Sequence, residues 1–188
     1  MSHRPRRRAI QKACNKLLQK HSVTSPPVCV EEIARKEGIR IFVDEDLDED
    51  ISGFLYRHRD TGPLIILNKD QSETRRRFTI AHELGHFVLH DDNSTTVSPF
   101  LGSDNNVRFR SHLTSQGIDT DEIEANQFAA QLLMPVDLIE QWILEVPENA
   151  NDDEMIKFLA DKFKVSPAAM KYRLVNLGYA DISEIAPR

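Results

Sequence analysis

The sequence has little cysteine and no long apolar run, and both shortages restrict what the protein can be. Cys14 and Cys29 are the two cysteines among 188 residues, too few for a disulfide framework, and they favour a reducing, intracellular environment. No stretch approaches the roughly 18 apolar residues that a membrane-spanning helix needs. The N-terminal segment is basic but has no apolar stretch of the kind found in secretion signals. We therefore expect a cytoplasmic protein that does not cross a membrane.

An overall positive charge is also lacking, since the net charge is -6, and we do not expect a protein that coats duplex DNA. The charge is unevenly distributed along the chain. Residues 1–20 carry seven Lys or Arg and no acid, whereas residues 44–50 contain six acids. Both segments are most simply solvated surface. Residues 4–20 are nevertheless a candidate surface for single-stranded nucleic acid acting as an activator.

The hydrophobic pattern predicts an α+β chain without internal repeats. Helices are predicted over residues 5–20, 30–37, 71–90, 121–134, 135–146, 152–164 and 167–177, and strands over residues 39–43, 53–57 and 64–68. A turn-rich segment separates the last two strands, which should form a hairpin. Residues 91–120 are polar and are predicted to form a long loop. We divide the chain into a core domain of residues 1–135 and a helical part of residues 136–188.

The segment FTIAHELGHFVLH, residues 78–90, places metal-binding side chains on a helix that otherwise suits a protein core. His82 and His86 lie one turn apart on one face, so both imidazoles can reach one ion at about 2.0–2.1 Å. Glu83 is rotated by about 100° and can take a proton from a metal-bound water. This is the HExxH arrangement of zinc peptidases. Gly85 would permit the close approach of another backbone element.

A catalytic zinc site needs a third protein ligand. His90 lies about 12 Å along the helix axis from His82, so we expect it at the helix end or behind the ligands. The next long helix offers Glu124, whose small and apolar neighbours would let this helix pack closely. Glu122 is the alternative, but its place in the first turn favours a capping role. We prefer Glu124.

Two stretches, RRRFTIAHELGHFVLH and DEIEANQFAAQLLMP, together resemble the ImmA/IrrE family of zinc metallo-endopeptidases. The segments SGFLYRHRDTGPLIILNKD and LADKFKVSPAAMKYRLVNLG also fit, and the resemblance covers most of residues 8–180. It implies a thermolysin-like core, with a small twisted sheet beside the active-site helix and a helical C-terminal part. It implies Zn²⁺ held by His82, His86 and Glu124, with Glu83 catalytic. The implied substrate is a helix-turn-helix repressor, cleaved to release an operon during stress, DNA damage or phage attack.

Other residues are candidates for supporting roles at such a site. Tyr56 and His112 are candidates to stabilise the tetrahedral oxyanion, and Asn126 is a candidate to orient a ligating histidine. Residues 64–68 are a candidate sheet edge that binds the substrate as an added strand.

The two cysteines are most simply small, inert residues. A thiolate of Cys14 or Cys29 could instead occupy the fourth zinc position and keep the enzyme latent, because sulfur is a favoured zinc ligand. The family that the chain resembles usually has a helix-capping acid where this sequence has Cys29.

Residues 156–177 also scan like a helix-turn-helix, which makes a DNA-binding regulator the alternative function. Lys171 and Arg173 are the cations of its second helix, and no residue suited to base readout lies near the start of that helix. A pseudoenzyme that sequesters a partner is a third option, and the intact His82, Glu83 and His86 count against it.

Overall fold

The computed structural model describes residues 6–48, 51–58, 60–90 and 120–180. Its elements are α1 (Arg7–Lys20), α2 (Val30–Lys36), β1 (Arg40–Asp44), β2 (Gly53–His58), β3 (Gly62–Asn68), α3 (Glu73–Leu89), α4 (Thr120–Leu133), α5 (Val136–Ile143), α6 (Asp152–Phe163) and α7 (Pro167–Leu177). The predicted mixture of helices and strands is confirmed, in the predicted order. The segment predicted as a long loop lies, apart from Thr120, outside the described residues.

The strands form one sheet with the order β1-β3-β2. β3 pairs in parallel with β1, where Leu64 lies opposite Arg40, and antiparallel with β2, where Leu67 lies opposite Gly53. The predicted hairpin is therefore confirmed. The prediction that residues 64–68 form a free sheet edge is wrong, because β3 is the central strand. Its continuous apolar run suits a strand with neighbours on both sides, and the edges belong to β1 and β2.

Helix α3 packs on the sheet and carries the HExxH segment. It is capped by Ser72, whose Oγ accepts a hydrogen bond from Arg75 N at 3.3 Å, so the helix begins slightly later than predicted. Helix α4 crosses α3 at Gly85, where an added Cβ would lie 3.1 Å from Ala125 Cα and 3.2 Å from Phe128 Cβ. The expected close approach at Gly85 is confirmed, and it brings the two helices near enough to share one site.

The buried Arg77 connects α3 to other parts of the chain. Its Nη2 donates to Val28 O at 2.9 Å, and its Nε donates to Lys164 O at 3.1 Å, beyond the end of α6. One hydrophobic core extends from Ile10 to Leu174, and the division of the chain after residue 135 stays a prediction. Within the described ranges, no helix is both long enough and apolar enough to span a membrane.

Candidate metal centre

Side chains from α3 and α4 converge at one buried point. His82 Nε2 and His86 Nε2 lie 3.1 Å apart. The carboxylate of Glu122 lies 3.3 Å from His82 Nε2 through Oε2 and 3.1 Å from His86 Nε2 through Oε1. Both imidazoles are almost fully buried, whereas the Glu122 side chain is 31% exposed. The group is therefore enclosed by protein on the histidine side and reached from solvent beside Glu122.

The spacing of these atoms fits a tetrahedral ion. Ligands about 2.0–2.1 Å from zinc lie roughly 3.3–3.4 Å from one another, close to the separations found here. Burial acts to raise the pKa of Glu122, but hydrogen bonds from His82 and His86 outweigh it and hold the pKa well below the usual range. Glu122 is thus an ionised carboxylate. Two imidazoles and one carboxylate are the ligand set of many catalytic zinc sites.

Asn126 contacts one of the imidazoles. Its Oδ1 lies 3.0 Å from His82 Nδ1 and can accept the Nδ1–H, so that a metal replacing the Nε2 proton would meet the lone pair of Nε2. Asn126 follows Glu122 by one helical turn on α4 and shares its face. One face of α4 therefore supplies both a candidate ligand and the group that fixes the tautomer of another.

Glu83 lies beside the cluster and is 1% exposed. Burial raises its pKa to about 8, although the charge of His86 and the backbone N–H of Leu55 act in the opposite direction. Its Oε2 has no hydrogen-bond partner among the described residues. A buried carboxyl oxygen without a partner is costly, and the arrangement fits a group that receives a proton from a metal-bound water.

Glu124, the preferred third ligand in the sequence analysis, does not belong to the cluster of His82, His86 and Glu122. Its carboxylate accepts hydrogen bonds from Arg6 N and Arg6 Nη2, each at 2.7 Å, and the bond to the Arg6 side chain lowers the pKa of Glu124. Residues two apart on a helix point about 200° apart, so Glu122 and Glu124 are not expected to reach the same pair of histidines. The structure therefore corrects the preference: Glu122 is the carboxylate beside the two histidines. The apolar neighbours that favoured Glu124 mark a face of α4 buried against other helices.

His90 lies at the end of α3, as expected, and outside the cluster of His82, His86 and Glu122. Its Nε2 is 3.2 Å from Asp121 O and its Nδ1 is 3.3 Å from Asp121 Oδ1, so it joins the end of α3 to the first turn of α4. Burial lowers the pKa of His90. His90, Asp121 and Glu124 form a second group with metal-ligand spacing, but Arg6 already holds the carboxylate of Glu124.

Arg57 on β2 is a residue that sequence reasoning does not find. Its Nη2 donates to His86 O at 2.9 Å and to His90 O at 2.8 Å, satisfying carbonyls at the end of α3.

Leu55 and Arg57 lie on one face of the strand and Tyr56 on the other, with Tyr56 37% exposed. The role predicted for Tyr56 stays a prediction, and His112 lies outside the described residues.

The structure brings neither cysteine to the histidines. Cys14 is buried, its Sγ donates to Phe128 O at 3.6 Å, and burial raises the pKa of its thiol to about 12. Cys29 is exposed just before α2, with Sγ 3.8 Å from Pro27 O. Within the described part of the chain, no group with metal-ligand spacing includes a thiol.

The C-terminal helices give little support to DNA binding. The Nε of Arg173 donates to Met134 O at 3.1 Å, and burial lowers the pKa of the Arg173 guanidinium. This side chain is therefore a packing group between α7 and the end of α4. Arg173, one of the two cations proposed to contact phosphates, is therefore held within the protein.

A buried HExxH helix that meets a carboxylate from a second helix is typical of metallopeptidases. Residues 34–175 match the family model described as Peptidase_M78, IrrE N-terminal-like domain. The chain belongs to this family, which confirms the resemblance to ImmA/IrrE proteins.

A phage protein and a solved structure are also similar to the chain. The "Uncharacterized immunity region protein 2" of Bacillus phage phi105 is 29% identical over 133 residues, which cover 71% of this chain and 73% of the phage protein. The solved structure of a Mycobacterium tuberculosis transcriptional regulator matches with a TM-score of 0.55 and 16% identity, over 89% of this chain and 46% of that one. The second likeness shows the fold alone, and the chain spans less than half of that regulator.

Proposed function

We propose that the protein is a zinc endopeptidase in which His82, His86 and Glu122 bind the ion and Glu83 is the general base. The observation that carries the proposal is the convergence of His82 Nε2, His86 Nε2 and the two oxygens of Glu122, in which the two nitrogens lie 3.1 Å apart and each nitrogen lies 3.1–3.3 Å from one oxygen, next to a buried glutamate. Membership of a peptidase family supports it. We also propose that the core is thermolysin-like, since its HExxH helix packs on a small sheet and meets a carboxylate of the following helix.

Zinc held by His82, His86 and Glu122 would supply Lewis acidity to the scissile carbonyl and to the attacking water. The Glu83 carboxylate would take a proton from the attacking water and deliver it to the leaving amine. Burial raises the pKa of Glu83 in the metal-free chain, whereas the charge of a nearby zinc ion would act to lower it, and a carboxyl under these opposing influences suits a group that takes and returns a proton. Asn126 keeps His82 in the ligating tautomer, and Arg57 holds the end of the helix that carries both histidines.

The strand that borders the site is β2. Ser52 O accepts a hydrogen bond from Asn68 N at 3.0 Å, and in antiparallel pairing every second residue directs its N–H and C=O to the neighbouring strand. The backbone N–H of Leu55, three residues on, therefore points away from β3. On that free side of β2 it forms a hydrogen bond with Glu83. We propose that an extended substrate segment pairs with the edge of β2 and passes beside Glu83, in place of the edge predicted at residues 64–68.

The proposed substrate is a helix-turn-helix repressor, whose cleavage would release a stress, DNA-damage or phage-related operon. The similarity to a phage immunity-region protein supports this choice. A second proposed partner is single-stranded nucleic acid as an activator on the outer face of α1, which carries Arg8, Lys12 and Lys16 beside polar amides.

Cleavage of a helix-turn-helix repressor, sought first in the reading frames beside the gene, tests the function. The Glu83→Gln variant should keep its zinc and its fold and lose cleavage, whereas Glu73→Gln, an exposed change at the start of the same helix, should cleave normally. Activity of Glu83→Gln above about a hundredth of wild type would contradict its role as general base. If the wild-type protein cleaves an unfolded peptide library but leaves the repressor intact, the proposed substrate is wrong and the peptidase assignment stands.

A further inference from the structure

Helix α1 is capped by a carboxylate from another helix. Its N-cap residue, Arg6, has no capping side-chain bond of its own, and the Arg6 N–H donates to Glu124 Oε1 at 2.7 Å. The Arg6 side chain adds bonds from Nε at 3.1 Å to Oε1 and from Nη2 at 2.7 Å to Oε2. The Glu124 side chain is 1% exposed. A buried carboxylate at a helix N-terminus is stabilised by unsatisfied N–H groups and by the helix dipole.

The bonds between Arg6 and Glu124 also determine which side chains of α4 face α1. Because successive residues turn by about 100°, holding Glu124 against α1 directs Glu122 to the opposite side of α4, towards the histidines of α3. A side chain about 6 Å from the helix axis moves roughly 2 Å when the helix turns by about 20°. Metal ligands tolerate displacements of only about 0.2 Å. The rotation of α4 about its own axis therefore determines whether the Glu122 carboxylate can bind the same ion as the two histidines.

Apolar packing holds α4 close to α3, and polar contacts act beside it on the rotation of the helix. A Cβ added at Gly85 would lie 3.1 Å from Ala125 Cα and 3.2 Å from Phe128 Cβ, so the two helices approach closely just after Glu124. Beside the contacts of Glu122 with the two histidines, the polar contacts at the start of α4 include those of Glu124 with Arg6 and of Asp121 with His90. Arg6 provides the stronger of the two, because its bonds are shorter and engage both oxygens.

We propose that Arg6 is a positioning residue for the metal centre: by binding Glu124 it fixes the rotation of the start of α4, together with the packing of Ala125 on α3, and so directs Glu122 at His82 and His86. The inference rests on the proposed ligand set. Arg6 contacts no ligand, yet the start of α1 is thereby coupled to metal affinity.

The experiment measures zinc affinity of the full chain by competition with a chromophoric chelator. Arg6→Ala should weaken zinc binding about 10- to 100-fold, the usual effect of removing a group that supports a ligand. Arg7→Ala, an exposed cation at the same helix end, is the matched control and should stay within about twofold. The cobalt(II)-loaded Arg6→Ala variant should also show an altered absorption spectrum, which a loss of stability alone would not produce.

Further variants separate the possible outcomes. Glu124→Gln should weaken zinc binding about as much as Arg6→Ala, and the double variant should be no weaker than either, because both changes break one interaction. Arg6→Lys, which keeps the charge and loses the bidentate geometry, should lie in between and serves if Arg6→Ala does not fold. Wild-type affinity in Arg6→Ala, while Glu122→Gln loses the metal, would overturn this inference alone. Wild-type affinity in Glu122→Gln would overturn the proposed ligand set and this inference with it.

Discussion

Glu122 and Glu124 are separated by one residue on α4 and engage different parts of the protein. Glu122 lies within 3.3 Å of both HExxH imidazoles, whereas Glu124 is bound at 2.7 Å by Arg6. Each carboxylate thus has a cationic or metal-binding partner and neither is buried alone, which would be costly. Glu122 is thus the proposed metal ligand, and Glu124 joins the start of α4 to α1.

Metal content should distinguish the two glutamates. Purified wild-type protein is expected to carry about one zinc per chain after dialysis, and Glu122→Gln should lose most of it because the third ligand is gone. Glu124→Gln should retain more zinc than Glu122→Gln, because it keeps the full ligand set. Elemental analysis of the dialysed proteins gives both values. Greater loss in Glu124→Gln would restore Glu124 as the ligand.

The pH dependence of stability should report the burial of Glu83 in the metal-free protein. Burial raises its pKa from 4.5 to about 8, so between these values the folded chain binds a proton that the unfolded chain releases. Stability conferred by the neutral group is therefore lost as pH rises through this window, by up to about 1.4 kcal/mol per pH unit.

Glu83→Gln cannot ionise and should escape that loss. Its free energy of unfolding, measured with denaturant in the presence of a chelator, should equal that of wild type most closely near pH 4.5 and exceed it increasingly towards pH 8. The same comparison with Glu73→Gln should give a difference that stays constant with pH. A constant difference for Glu83→Gln as well would show that Glu83 is ionised in the folded protein.

Local sequence patterns predict the HExxH helix α3 well, but they predict poorly which residues of other elements contact it. The spacing of His82, Glu83 and His86 requires only helical geometry, so these positions follow from the sequence. Which of Glu122 and Glu124 lies beside the histidines depends on where α1 packs, because Glu124 binds Arg6, a residue 118 positions away in the chain. A pattern of apolar neighbours identifies a buried face of α4 but not which neighbour covers it.

In the sheet, too, local sequence patterns predict the near contacts but not the distant ones. The hairpin of β2 and β3 follows from two apolar runs and a turn, but the parallel pairing of β1 with β3 is a longer-range choice that gives β3 the central place. Arg57 is missed for a related reason. Its role depends on reaching carbonyls at the end of α3, and no local spacing in the strand reveals that contact.

Gly85→Ala should test the close crossing of α3 and α4. On helix propensity alone the change would stabilise the protein by about 0.5–1 kcal/mol. Here the added Cβ would lie 3.1 Å from Ala125 Cα, and the crowding should destabilise the fold by about 1–3 kcal/mol. Denaturant unfolding measures the difference, with Val88→Ala, 38% exposed on the same helix, as the control. Stabilisation by Gly85→Ala would mean that the helices lie further apart.

The cysteines should differ in reactivity and should not control activity. Because burial raises the pKa of the Cys14 thiol to about 12, almost no reactive thiolate is present near neutral pH. A chromogenic disulfide reagent should therefore modify one thiol in the folded protein and two after unfolding, and Cys29→Ser should abolish the fast reaction. Cys14→Ser and Cys29→Ser should cleave at the wild-type basal rate. A higher basal rate in either variant would identify that thiol as a latency switch.

Single-stranded nucleic acid, if it activates the protein, should bind the exposed face of α1 without using Arg6. Arg8, Lys12 and Lys16 line that face, whereas Arg6 is bound to Glu124. Binding of a fluorescent single-stranded oligonucleotide should weaken steeply with salt, with a logarithmic slope of about -0.7 per phosphate contact. Reversing the charges of Arg8, Lys12 and Lys16 to Glu should remove both binding and any stimulation of cleavage.

The triple variant keeps Arg6, because replacing Arg6 would also disturb α4. A loss of activity could then come either from lost activator binding or from lost metal, and the two causes could not be distinguished. Lys36→Glu, a reversal on the exposed end of α2, is the matched control and should bind and respond like wild type. Stimulation that survives the triple reversal would exclude α1 as the sensor. A wild-type protein that fails to bind the oligonucleotide even at low salt, where the attraction between phosphates and cations is strongest, would remove nucleic acid from its partners.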